Sequence, residues 1–177
     1  ALIVVVLQTR NVLSAPVMEE EAVAVADLWF AMELNSPHLR LGAGEKSARL
    51  ADIENRRVHY LMSEQVLVET TPETRTVLAY VVGYEPKGFV VVSADDHLDP
   101  IVVFSVMNEY RWDQPKRNFF RFFLGTTMTQ SFKCLARNTE MGIKAEVHPN
   151  WEALRVKMSY SQVLEKATPD AEPVYIR

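Results

Sequence analysis

The chain has 177 residues, of which 48% are hydrophobic and 24% charged, and its formal net charge is −4. That length and balance give one domain of ordinary size with a real core and exclude a disordered polymer. The acid excess offers nothing to nucleic acid, which calls for a basic face. No apolar run approaches the ~18 residues that span a bilayer.

The chain opens on "ALIVVVL", followed by "QTRNVLSAPV". This pattern predicts the tail of a signal peptide, with small Ser14 just before Ala15-Pro16 as the cleavage site. A buried strand is the competing reading, because β-branched runs also make strands. On the first reading residues 1–14 precede the folded domain and the protein is exported, either secreted or periplasmic. Cys134 is the single cysteine, so no internal disulfide exists and the fold must stand on its core.

"EEEAVAVADLWFAMEL", residues 19–34, predicts a helix. Glu19, Glu20 and Glu21 favour its N-terminal end, Val25, Leu28, Trp29 and Met32 give an apolar stripe, and Asn35-Ser36-Pro37 stops it. The following "LGAGEKSARLADIENRR" reads as a polar connection. From Val58 the period becomes two. Short β-rich pieces in "VHYLMSEQVLVE" precede strands at 76–84, 88–94 and 101–105. Pro86-Lys87-Gly88 supplies turn chemistry, and connections this short make an antiparallel meander.

"NFFRFFLGTTMTQSFKCLAR", residues 118–137, predicts a second amphipathic helix on Phe120, Leu124, Met128, Phe132 and Leu135. One stripe cannot bury Phe119, Phe120, Phe122 and Phe123 together, so at least one of them faces outward. Residues 138–177 read as a polar tail or linker holding Trp151, Leu154 and a short helix at 159–167. The expected class is α+β: an antiparallel sheet of about four strands packed by an N-terminal and a C-terminal helix, each burying its stripe on the sheet.

Candidate chemistry is sparse. Cys134 sits near the C-terminal end of a helix, where the dipole disfavours a thiolate, and beside the apolar stripe, so it is expected in the core. His38, His59, His97 and His148 are scattered without metal-ligand spacing. Asp95, Asp96, His97 and Asp99 lack the alternation of a calcium loop and read as a hairpin turn whose acids face water. No cofactor, metal or catalytic residue is expected, and the chain reads as a non-enzyme.

One stretch carries a resemblance. Gly88-Phe89, the valines 90–92, Ser93-Ala94-Asp95-Asp96, Pro100 and the apolar strand Ile101 to Ser105 resemble the N-terminal pro-domain of streptopain-type (papain-like) cysteine proteases, a domain that also occurs as free-standing inhibitors. The resemblance spans about residues 19–136 and is most specific over 77–105. It implies an inhibitory domain at 15–137 that packs on a cysteine protease domain, in cis or in trans, and blocks its active site sterically. It also implies that a loop between the last strand and the second helix, carrying an asparagine, reaches that site. The counterpart is "NEYRWDQPKRNFF", 108–120, with Asn118 the best match and Arg117 the residue reached by ungapped counting from Ser105. Trp112 and Phe119 are assigned as further partner contacts. Asn118 also suits a helix N-cap, and the two roles are compatible. The chain ends at "EPVYIR", about where the protease domain of such a precursor begins. A fragment of a zymogen, a free-standing inhibitor and a non-inhibitory interaction or adhesion module of the same fold are all open.

Overall fold

The computed structural model describes residues 16–62, 76–109 and 119–167. In chain order the elements are α1 (Glu19–Leu34), α2 (Ala43–Ala51) running into a 3-10 turn (Asp52–Asn55), β1 (Arg56–Met62), β2 (Val77–Tyr84), β3 (Phe89–Ser93), β4 (Ile101–Ser105), α3 (Phe119–Glu140) and α4 (Pro149–Ala167). The four strands form one antiparallel meander in the order β1-β2-β3-β4. The class is α+β, as the sequence implied.

Strand periodicity sorts the core into two layers. Tyr80, Val82, Tyr84, Val90 and Val92 point to one face, where they pack with Ala22, Val25, Ala26, Phe30 and Leu34 of α1 and with Trp151 and Leu154 of α4. Ala79, Val81, Phe89 and Val91 point to the other face and pack with Leu61, Leu124 and Met128. The helices therefore cover opposite faces of the sheet. This explains why β2 and β3 read as near-continuous apolar runs, since both their faces are sealed. The two buried tyrosines keep hydrogen-bond partners: Tyr80 Oη donates to the Val17 carbonyl at 2.9 Å and Tyr84 Oη to Asp27 Oδ1 at 3.0 Å.

Three elements differ from expectation. In α1 the deepest residues are Ala22, Val25, Ala26, Phe30 and Leu34, while Leu28 and Trp29 are only partly buried. Small alanines let the helix approach the sheet closely, and Phe30 stacks on Tyr84 at 4.0 Å between ring centroids. The connection after α1 contains a helix, α2, whose one buried residue is Arg49, with Leu50 partly buried against the core; an arginine at the most buried position weakens the apolar stripe. The helix placed at 159–167 begins ten residues earlier, at Pro149. Proline fits a first helical position because its fixed φ is already helical and its missing N–H is not needed there.

The stretch read as a polar tail therefore completes the core, with Trp151 wholly buried. Its indole Nε1 donates to the Leu98 carbonyl at 3.0 Å. Among the described residues no helix is long and apolar enough to cross a membrane. The 1–14 leader reading lies outside the described residues.

Candidate functional site

The turn between β3 and β4 is present and Asp99 is exposed as expected, but two of its acids do not face water: Asp95 and Asp96 are buried at 1% and 3% exposure. The reason is what packs over them. Pro16 bridges to Asp95, and the Val17 N–H donates to the Ala94 carbonyl. The His148 N–H donates to the Asp96 carbonyl at 2.8 Å, just before α4 begins.

The side chains are tied in as well. Asp95 Oδ1 accepts the backbone N–H of His97 and contacts His97 Nδ1, both at 2.9 Å. Arg155 of α4 reaches Asp96 Oδ2 at 3.3 Å through both terminal nitrogens and Glu21 of α1 at 2.6 Å through Nε. The hydrogen bond to Glu21, then that to Asp96, raises the Arg155 pKa, so the cation is held firmly. Donor atoms of Asp95, Asp96 and His97 lie within 4.8 Å of one another; the bonds above join α1, the turn and α4, while Asp96 Oδ1 is buried without a hydrogen bond, 3.6 Å from His97 Nδ1.

Cys134 is exposed rather than in the core. The stripe of α3 runs through Leu124 and Met128, and position 134 falls on its solvent side. The shallow cleft beside it is lined by Leu98, Thr126, Thr127, Gln130, Ser131 and Leu135, with Asn138, none a histidine or carboxylate. Among the described residues lining it, none would activate a thiol.

A second cleft of about 450 Å³ lies between α1, β4 and α4, with Trp29, Met32, Phe104, Ala153 and Leu154 among its walls. Trp29 meets Phe104 edge-to-face at 5.6 Å. Its lining is mostly apolar, with Asp99 and Lys157 as the charged groups, so it is suited to contact rather than to acid–base chemistry.

The chain leaves β4 in an ordered way. Ser105 Oγ accepts the N–H groups of Met107 (3.3 Å) and Asn108 (3.0 Å) and the Asn108 side-chain amide (3.1 Å). The Asn108 carbonyl accepts the Gly88 N–H at 3.0 Å, pinning this turn to the β2–β3 connection. Arg49 closes the junction from beneath: its Nη2 donates to the Val106 carbonyl at 2.7 Å and to the Lys87 carbonyl.

Trp112, Arg117 and Asn118 lie outside the described residues. The chain resumes at α3, which Phe119 opens. Two turns of α3 then divide sharply. Phe122 is 72% exposed and Phe123 56%, whereas Leu124 and Met128 are 3% exposed. Before the segment, Phe104 and Met107 are exposed at 37% and 42%. Large apolar side chains thus stand on the surface at both roots of the segment singled out by sequence.

Sequence reasoning anticipated an outward phenylalanine here but missed Arg49, the Ser105–Asn108 turn and the Arg155 knot. The Ser-x-x-Asn spacing was a readable turn signal. The two arginine roles depend on partners far away in the chain, and no local signal marks them.

A sequence model of the Spi protease inhibitor family matches residues 14–131, from before α1 into α3. No curated protein and no solved structure matches the chain.

Proposed function

Since the chain belongs to the Spi protease inhibitor family, we propose that it is the inhibitory propeptide of an exported, streptopain-type cysteine protease, acting by steric occlusion. In this reading the loop at 108–120 enters the active-site cleft. Asn118 or the adjacent Arg117 occupies the specificity pocket, and Trp112 and Phe119 pack at its rim. The leader-like start "ALIVVVL" supports export. A free-standing inhibitor acting in trans would use the same face, and the coding sequence after Arg177 separates the two.

The observation that carries the reading is Phe122, 72% exposed in the first turns of α3 directly after the segment. An exposed aromatic next to other exposed apolar groups marks a surface that a partner covers. Inhibition needs no catalytic group. It needs a short segment presented from rigid ends, with a few anchors supplying most of the binding energy and the surrounding contacts excluding water. The Ser105–Asn108 turn after β4 and the start of α3 at Phe119 support this reading.

The test is titration of the purified chain into an active streptopain-type protease, followed by Asn118→Ala. Inhibition at micromolar chain or below is expected, and Asn118→Ala should weaken it more than it lowers Tm. A pure N-cap would instead lose about 0.5–2 kcal/mol of stability with the affinity of folded molecules unchanged. Full protease activity at saturating chain would leave a binding module in place of an inhibitor.

A further inference from the structure

Arg49 is an unusual residue to bury. It is 4% exposed, and it is the one buried residue of a helix that is otherwise at the surface. A guanidinium withdrawn from water needs strong compensation. Part of that compensation is two backbone carbonyls from separate parts of the sheet, Lys87 in the β2–β3 turn and Val106 immediately after β4. A further part is the Phe30 ring, whose centroid lies 5.6 Å from the guanidinium carbon.

The surroundings are fitted to this arrangement. Gly88 adopts φ +112°, and a Cβ there would stand 2.6 Å from Phe30 Cε2 and 3.1 Å from Arg49 Nη2. The same glycine donates its N–H to Asn108. Arg49, Gly88 and the Ser105–Asn108 turn therefore converge on one short piece of backbone, residues 106–108, where the chain departs from the sheet. A neutral apolar residue could fill the space beneath that departure. What it could not do is donate to two carbonyls from two turns at once, as Arg49 Nη2 does.

We propose that Arg49 is a positioning residue for inhibition: from beneath the sheet edge it fixes where, and in which direction, the chain leaves β4 toward the protease. This rests on the reading that the segment after residue 109 is what the protease meets. The physical effect is preorganisation. A root held in one orientation spares the ordering cost at binding, and a loose root pays it each time.

The experiment compares Arg49→Met, Arg49→Lys and Ser105→Ala in the full chain. The first removes the donors at similar length, the second keeps the charge and one donor group, and the third removes the acceptor of three hydrogen bonds at the same root. Each is measured for Tm and for Ki, well below its Tm, per folded molecule. Arg49→Met is expected to raise Ki about tenfold or more, with Arg49→Lys partly restoring it and Ser105→Ala raising it in the same direction.

A purely structural arginine would lower Tm and leave Ki per folded molecule within about twofold, and that result overturns the proposal. If Arg49→Met does not fold, Ser105→Ala decides alone, and an unchanged Ki for it also overturns the proposal. Asn118→Ala and Trp112→Ala run alongside. If they too leave Ki unchanged, the reading of the segment has failed; if they abolish inhibition while the Arg49 and Ser105 variants do not, only the positioning role has failed.

Discussion

Replacing Trp151 by alanine tests whether α4 is part of the fold, although the family match stops at residue 131. Trp151 is wholly buried, donates to the Leu98 carbonyl at 3.0 Å and carries the Arg155 guanidinium 5.3 Å from its ring. Large aromatic to alanine changes in cores cost about 3–5 kcal/mol. The orphaned Leu98 carbonyl adds roughly 1 kcal/mol if water does not reach it. A loss of about 4 kcal/mol is a large fraction of the roughly 5–15 kcal/mol that holds a domain together. With a urea m-value of about 2 kcal/mol/M for a chain of this size, the unfolding midpoint should fall by about 2 M.

Trp151→Phe keeps most of the ring but not the donor, and should cost about 1–2 kcal/mol. Urea titrations followed by circular dichroism give both midpoints without relying on the tryptophan that was removed. A midpoint shift below about 0.5 M for Trp151→Ala, at unchanged m, would show that α4 is an appendage and that its burial contributes little.

Four other substitutions probe separate parts of the molecule. Gly88→Ala should lose about 2–4 kcal/mol, from the positive φ and the collision with Phe30; a urea midpoint equal to wild type would show that the ring gives way freely. Phe122→Ser should leave stability within about 0.5 kcal/mol while weakening inhibition, whereas Leu124→Ala, two residues on and buried, should cost about 2–4 kcal/mol. If Phe122→Ser inhibits like wild type, the exposed aromatic is not a contact. Asp27 makes a pH prediction. Burial raises its pKa above the usual 3.8, against the opposing pull of Tyr84 and Arg56. The folded state thus holds a proton that the unfolded chain has lost. Stability from this group falls as pH rises from 3.8 through the raised value, and the deficit is complete above it. Asp27→Asn should therefore be at least as stable as wild type at neutral pH and should lack that part of the acid-side gain. A variant less stable by about 1 kcal/mol or more at pH 7 would mean that the Tyr84 and Arg56 interactions outweigh burial.

The meander was legible because strand signals are local. Alternating or continuous valines, a Pro-Lys-Gly turn and short connections specify antiparallel pairing without reference to the rest of the chain. The two flanking helices were legible for the same reason, as was the surplus of phenylalanines at the start of α3. The residues that carried the resemblance, Gly88 to Ser105, are contiguous and lie within the family match at 14–131, so they are readable in the linear chain.

The orientation of these parts was decided elsewhere. The apolar period of α1 allowed several faces, and the close approach permitted by Ala22 and Ala26 selected the one that carries Phe30 and Leu34. The acids of the β3–β4 turn resemble those of any solvated hairpin. Asp95 and Asp96 are buried because residues 16–17 and the start of α4 pack over them, and Arg155, 59 residues beyond Asp96, arrives on α4 to pair with one of them. Arg49 looks like an ordinary surface cation in "EKSARL", yet its partners are 38 and 57 residues away. Local sequence sets backbone preference and apolar period, whereas the burial of a charge depends on which distant donors and acceptors the packed core brings to it, and only the folded chain supplies those.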